Sequence, residues 1–340
     1  MSPRGLPGLR YRGGAEEVGR APVELDEVDE RLVGALQRDG RSSYESLARL
    51  VGLSRSSTQA RVRRLLDEAG LRVVGAIHPA VLGMHQLGHV IVETDGPAGP
   101  VAQAVAALEE TSFVTTTAGR FALTAELRSA DMDAYARGLA RIQAVPGTRS
   151  VQVMTYRQIW KDPYFPPGPL QSPGPLDGLG LDGPDRALLE RLRVDGRASF
   201  ADLAGVSGLS SGATRARVLR LLDAGAVHVG ALVRLHPVGR THTVGFALTV
   251  HGAVEPVAQK VVELDEVDCF ATGMGWCNGI GTIRAGSPAE AFDTLERLRA
   301  ESGVRTVEAW THLRAVKEEH DLARPITGVT VGDGPLPVTS

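Results

Sequence analysis

Apolar positions along this chain follow two rhythms, and the pair of rhythms occurs twice. In the first stretch Leu32, Val33 and Leu36 recur at helical spacing behind Asp29, which can cap a helix that Asp39-Gly40 then ends. Ser43 opens a second, shorter helix carrying Leu47 and Leu50, and Gly52 makes a tight turn. Ser54 caps a third helix reaching about Ala69, in which Thr58, Val62, Leu65 and Ala69 fall in one narrow sector at 100° per residue and face the core.

Further along, the rhythm changes to strand-like alternation broken by helical runs. His89–Thr94 reads as a strand, 101–108 as a helix, 113–117 and 121–127 as paired strands around Gly119, 132–142 as a helix and 148–155 as a strand. The same order returns at 246–250, 257–264, 269–272, 279–283, 289–298 and 304–310. This βαββαβ order predicts a ferredoxin-like sandwich, a four-stranded antiparallel sheet with helices on one face.

The recurrence extends to residue identities. Residues 25–67 align with 181–223, and about half of the aligned positions are identical. Shared landmarks are Asp-Gly-Arg (39–41 and 195–197), Leu-Ala (47–48 and 203–204), Gly-Leu-Ser (52–54 and 208–210) and a closing Ala-Arg-Val…Arg-Leu-Leu-Asp. His78-Pro79 answers His236-Pro237 farther on, where the likeness weakens. The expected organisation is a tail (1–23), a helix-turn-helix domain (24–72), a ferredoxin-like domain (73–161), a Pro/Gly linker (162–180), a second helix-turn-helix (181–228), a second ferredoxin-like domain (229–322) and a tail (323–340). The fold class expected is α+β, with helix-turn-helix domains of winged-helix-like type.

Two helices joined by a short Gly-containing turn form the helix-turn-helix pattern, and the outward face of the third helix gives it chemistry. Ser56, Ser57, Gln59, Ala60, Arg63 and Arg64 lie opposite the core sector, flanked by Arg55 and Arg61. The window 54–66 holds four Arg and no acid, whereas solvated helix faces normally mix signs. Small polar residues admit close approach to base edges, and Arg takes phosphate or guanine. The second copy keeps Ser211, Arg215, Arg217 and Arg220 but has Gly212, Ala213 and Leu219 where the first has Ser56, Ser57 and Arg63. The first copy is therefore expected to read DNA more specifically, and the second to hold phosphate or to be a decayed reader.

Composition narrows the options without choosing among them. Of 340 residues, 37 are Lys or Arg and 40 Asp or Glu, a net charge of −3. That balance excludes a protein holding nucleic acid by bulk charge and leaves room for a local basic patch. The hydrophobic fraction of 43% supports real cores. No apolar run approaches the ~18 residues of a membrane span, and residues 1–20 lack a signal-peptide core. A cytoplasmic protein without membrane association is the expectation. Two cysteines, Cys269 and Cys277, are too few for a disulfide scaffold or a thiolate zinc cage, and small buried thiols are their plainer reading over a redox pair. No metal site, cofactor site or catalytic constellation stands out. His78 and His236 read as structural.

Together, Leu-Asp…Asp, Asp-Gly-Arg, Leu-Ala…Gly-Leu-Ser, Arg-Val-Arg-Arg-Leu, a His-Pro connector and a βαββαβ domain make the chain resemble the Lrp/AsnC (feast/famine) transcriptional regulators, in a tandem-duplicated form. The resemblance covers nearly all of both units. It implies double-stranded DNA as partner, pairing of the two units within one chain with their sheets face to face and helix-turn-helix domains flanking them, and further homo-oligomerisation. It also implies an amino-acid-like effector near a Gly-x-x-Asp turn before the third strand of the sandwich. Here the turns read Gly119-Arg120-Phe121-Ala122, without the acid, and Gly275-Trp276-Cys277-Asn278, with an amide in its place. The implied effector residues are Gly119, Arg120, Gly273, Gly275, Trp276 and Asn278, the second turn being favoured. Siroheme decarboxylases share the two-part architecture and are the enzymatic alternative. An architectural DNA binder without a ligand is the other.

Overall fold

The computed structural model describes residues 25–68, 70–162, 179–233 and 242–318. Both expected tails, nearly all of the expected linker, Ala69 and the His236-Pro237 pair lie outside the described residues. In chain order the first unit contains α1 (Glu27–Arg38), α2 (Tyr44–Val51), α3 (Arg55–Asp67), β1 (Leu71–Ile77), β2 (Gln86–Thr94), α4 (Ala98–Ala106), β3 (Thr111–Ala118), β4 (Leu123–Ser129), α5 (Met132–Gln143) and β5 (Thr148–Lys161). The second contains α6 (Gly183–Val194), α7 (Phe200–Ser207), α8 (Ser211–Asp223), β6 (Val227–Val233), β7 (His242–Val250), α9 (Glu255–Val262), β8 (Val267–Gly275), β9 (Gly279–Ala285), α10 (Pro288–Ala300) and β10 (Val304–Glu318). The fold is α+β, and each expected element is present, with shifted ends.

Local chemistry accounts for the helix starts. Ser43, Ser54, Ser199 and Ser210 accept hydrogen bonds from the backbone N–H three residues on, as N-caps do. The cap of α1 is Asp26 rather than the expected Asp29. Asp29 sits one turn inside, and the two carboxylates form a reciprocal capping box repeated by Asp182 and Asp185 in α6. Gly52 and Gly208 close α2 and α7 at φ +74° and +70°, a conformation that costs a glycine little.

The strands β1 and β6, which the sequence reading took for connector, organise the helix-turn-helix halves. They pair antiparallel with Val74 opposite Gly230, its own counterpart in the repeat, so the pseudo-twofold axis passes between these residues. The two helix-turn-helix domains do not stand apart on either flank. Leu32, Leu36, Leu47, Val62 and Leu65 of the first share one buried core with Leu188, Leu192, Leu203, Val218 and Leu221 of the second, through Val73, Ile77, Val227 and Val229. About 25 cal/mol per Å² of apolar surface removed from water drives this merger.

The two βαββαβ halves likewise form more than facing sheets. Each has the ferredoxin-like strand order, β3-β4-β2-β5 and β8-β9-β7-β10, and they join edge to edge through antiparallel pairs β5–β8 and β10–β3. The result is one closed barrel of eight strands, which leaves no unpaired edge. The helices cover its outside over two separate cores, one around Val90, Val114 and Leu127, the other around Phe246, Phe270 and Ile283. The inside is filled at one end by Ile91, Phe121, Met154, Cys277, Ile280 and Trp310 from both halves.

Candidate nucleic-acid interface and effector turns

The third helix of each unit carries two kinds of arginine. Arg61 donates to Asp26 at 2.6 Å and to Asp29 at 2.9 Å, and Arg64 also pairs with Asp29, whose side chain is fully buried. In the second unit Arg217 bonds Asp182 at 2.7 Å and Asp185 at 3.0 Å, and Arg220 pairs with Asp185. The repeated Leu-Asp…Asp and Arg-Val…Arg landmarks thus encode an ion-pair cluster fastening α3 to α1 and α8 to α6. The Arg61 pair lowers the Asp26 carboxyl below its usual range and raises the guanidinium. A buried carboxylate must be paired, and these arginines do that. The sequence reading grouped Arg61, Arg64, Arg217 and Arg220 with the DNA-facing set, whereas the structure turns them toward the N-terminus of the neighbouring helix.

What remains outward is smaller and differs between units. Arg55, Ser56, Ser57, Ala60 and Arg63 are exposed on α3, and Gln59 is half-buried. Thr58, Val62 and Leu65 are buried, as the 100° wheel requires. On α8, Ser211, Gly212, Ala213 and Arg215 are exposed, and Leu219 is 44% exposed where α3 presents Arg63. Arg215 lies over the Phe200 ring at 5.8 Å.

The Asp-Gly-Arg landmark has a role that sequence reasoning missed. Arg41 reaches into the other unit and donates to the Gly196 carbonyl at 2.7 Å and the Ala198 carbonyl at 3.0 Å. Arg197 returns the contact to Gly40 at 2.7 Å and Ser42 at 3.2 Å. Arg41 also stacks over Phe200 at 5.0 Å and Arg197 over Tyr44 at 5.1 Å. The N–H groups of Gly40 and Gly196 donate to Val229 and Val73 of the central ribbon. A Cβ on Gly40 would come within 2.6 Å of the Val73 side chain, and one on Gly196 within 2.7 Å of the Val229 side chain, so both places require glycine. Burial, then the nearby Arg197, lower the Arg41 pKa. This reciprocal clasp ties the turn between α1 and α2 to the turn between α6 and α7. Its retention in both copies was the available signal.

The two turns around Gly119 and Gly275 lie at one end of the barrel. Gly119 and Gly275 take φ +134° and +150°. Arg120 reaches Glu308 at 3.1 Å and lies over Phe121. Phe121 meets Trp276 and Trp310 edge-on, each at 5.7 Å, so the two turns pack on each other through aromatic rings. Asn278, standing in for the acid, accepts from the Val250 backbone N–H at 3.0 Å, which makes it part of the turn's own framework. Gly273 donates to the Asn278 carbonyl. An open cavity of about 440 Å³ lies beside the first turn, lined by Glu93, Thr94, Thr116, Arg120, Phe121 and Arg149 among others.

The two cysteines are free, and burial pushes the Cys277 thiol up to about 12 and Cys269 well above its usual value. His78 caps a 3-10 turn by accepting from the Ala80 N–H, a structural task. Among the described residues there is no cluster of metal-ligating side chains and no helix long and apolar enough to cross a membrane.

Tandem helix-turn-helix heads on a closed pair of ferredoxin-like sheets define a two-in-one version of a DNA-binding regulator. Residues 25–66 and 181–222 each match the AsnC-type helix-turn-helix domain. The transcriptional regulator LrpA of Mycobacterium tuberculosis is 31% identical over 134 residues, covering 37% of this chain and 86% of LrpA. The regulator FL11 of Pyrococcus abyssi is 26% identical over 142 residues, 41% of this chain and 94% of FL11. The chain belongs to the Lrp/AsnC family of DNA-binding transcriptional regulators. Its whole architecture is also similar to the crystal structure of the siroheme decarboxylase NirDL, at a TM-score of 0.61 over 86% of this chain and 93% of that one, with 13% identity, a likeness of fold.

Proposed function

We propose that the protein is a cytoplasmic, sequence-specific regulator that binds an asymmetric DNA site, with α3 reading the stronger half. The observation that carries this reading is the exposed acid-free face of Arg55, Ser56, Ser57 and Arg63 on α3, set against Leu219 at the matching place on α8. In a symmetric dimer two identical helices read a palindrome. Here the clasp and the β1–β6 ribbon join two units whose third helices differ. Ser211 and Arg215 on α8 supply phosphate contacts. A small amino-acid-like effector acts at the turns around Gly119 and Gly275, and further chains assemble on the barrel. The open cavity beside Arg120 supports the first turn as the effector site, over the second turn favoured by sequence.

The test is fluorescence anisotropy on DNA from upstream of the protein's own gene and on a scrambled control, across a salt series. Preference for the native fragment that survives near-physiological salt is expected, and equal, steeply salt-dependent binding to both would sink the specific reading. Arg63→Ala should weaken binding by ~1–3 kcal/mol and Leu219→Ala should change it little. We read the protein as a non-enzyme. Tetrapyrrole absorbance by the purified protein together with indifference to DNA would reverse that.

A further inference from the structure

The mouth of the barrel opposite the aromatic plug is lined with polar groups. On β4 the positions facing the helices, Leu123, Ala125 and Leu127, are fully buried; on the lumen face Thr124, nearer the plug, is also fully buried, while Glu126 and Arg128, toward the other mouth, keep some accessible surface. The same alternation on β9 leaves Thr282 and Arg284 in the lumen. The lumen is thus closed at the plug and keeps accessible surface only toward this mouth. An eight-stranded barrel is just wide enough to hold one small ligand.

Four rings run along the wall from the plug, to which Trp310 belongs, toward this mouth. Phe113, His312, Trp310 and His89 follow one another at centroid separations of 6.1, 6.4 and 6.2 Å. The ring nitrogens of His312, Nε2 of His89 and Nε1 of Trp310 are closed to solvent and have no hydrogen-bond partner among the described residues. Buried polar atoms are ordinarily satisfied, so four unpartnered nitrogens on one wall need an explanation. They do not arise from a symmetric scaffold. His89 stands opposite Met154 across β2–β5, and at the corresponding place Gly245 stands opposite Trp310 across β7–β10. The indole fills the space that a side chain at 245 would take, since a Cβ there would lie 2.1 Å from its Nε1.

We infer that the barrel lumen is a binding site for a small, flat aromatic acid, its ring against the Phe113–His312–Trp310–His89 wall and its carboxylate accepting from the Trp310 N–H and the imidazoles. The donor set gives the charge. The indole N–H can only donate, and an imidazole that meets a carboxylate takes up a proton and donates from both nitrogens. Arg284 lies near His312 and bonds Asp268 at 2.7 Å, while Arg128 pairs with Glu126, so these four charges balance and leave the imidazoles to answer a ligand's charge. The lumen site is distinct from the cavity at Gly119 and stands independently of the DNA reading.

Isothermal titration of the full chain with 2-naphthoate, naphthalene-2-methanol and cyclohexanecarboxylate tests it. Saturable binding of 2-naphthoate is expected, at least tenfold tighter than the neutral alcohol or the non-planar acid, with proton uptake revealed by buffers of different ionisation enthalpy. Trp310→Phe and His312→Phe, which keep a ring in place, should each weaken binding by tenfold or more while leaving the circular dichroism unchanged. Absence of naphthoate binding, equal binding of the alcohol, or undiminished binding by both folded variants would overturn the proposal. A variant that fails to fold is replaced by His89→Phe, read the same way.

Discussion

Replacing Arg41 by alanine isolates the clasp between the two reading heads. The guanidinium gives two hydrogen bonds to carbonyls of the buried residues Gly196 and Ala198 and stacks on Phe200. Hydrogen bonds to a charged group contribute about 1.5 kcal/mol or more each, and an exposed cation–π contact about 0.5–1 kcal/mol. Burial of the guanidinium and, after it, repulsion from Arg197, which together lower the Arg41 pKa, offset part of this. The expected loss is about 3 kcal/mol, localised at the joint between the units. Amide hydrogen exchange reads it directly, because the Gly40 and Gly196 N–H groups bond the central ribbon. Their exchange should quicken by about two orders of magnitude while barrel amides on β2 and β4 stay as they were. Arg197→Ala should match it, and the double variant should lose somewhat more than the sum, since each single change already relieves the repulsion and the double variant relieves it only once. A single loss below about 1 kcal/mol, or a double loss clearly smaller than the sum, would refute the reasoning.

Three other outcomes follow from the same geometry. Asp29→Asn keeps a capping side chain but leaves Arg64 and part of Arg61 without their buried counter-charge, and should cost about 3 kcal/mol in urea unfolding while loosening α3 from α1. Gly245→Ala forces the buried Trp310 ring to shift and should cost about 1–3 kcal/mol, read as a lowered Tm and altered tryptophan emission. Burial lowers His89 and His312 to about 4, Arg284 and the mutual repulsion adding to this at His312 and Glu126 opposing it at His89, with Arg128, Tyr156, Asp268 and Cys269 the other titratable neighbours on the wall. An imidazole held neutral in the folded state binds fewer protons than in the unfolded chain, so stability is full above about pH 6.5 and falls as pH drops toward 4. The expected loss is about 2 kcal/mol per imidazole between pH 7.5 and 5, and His89→Phe/His312→Phe should flatten the profile. An unchanged slope in that variant would assign the acid sensitivity to other groups.

Much of this was legible from residues alone, for reasons that can be named. Thr58, Val62 and Leu65 were placed in the core because a helix wheel depends only on local spacing, and Ser43 and Ser54 were found as caps because capping is local chemistry. Arg61 and Arg64 were misread for the complementary reason. Their partners Asp26 and Asp29 are far along the chain, and a wheel gives the direction of a side chain without saying what meets it. The clasp and the closure of the barrel were invisible for the same cause, since both depend on contacts between units. Strands β1 and β6 were missed because Leu71–Ile77 and Val227–Val233 lack clear alternation, being covered by helices on one side and by each other along an edge. Asp-Gly-Arg, by contrast, was found as a repeat and understood only once Arg41 and Arg197 were seen to cross.

The exchange of His89 and Met154 in one half for Gly245 and Trp310 in the other bears on what covalent fusion permits. Identical subunits must make every change in duplicate, so a tryptophan at the Trp310 position would meet a histidine at the Gly245 position on both sides. Joining the two copies in one polypeptide removes that obligation and lets a bulky residue on one side answer a missing one on the other. The assembly thereby acquires a direction. Its lumen has two unlike walls and its heads carry two unlike outward helix faces, so on the reading proposed above a bound operator has a left and a right.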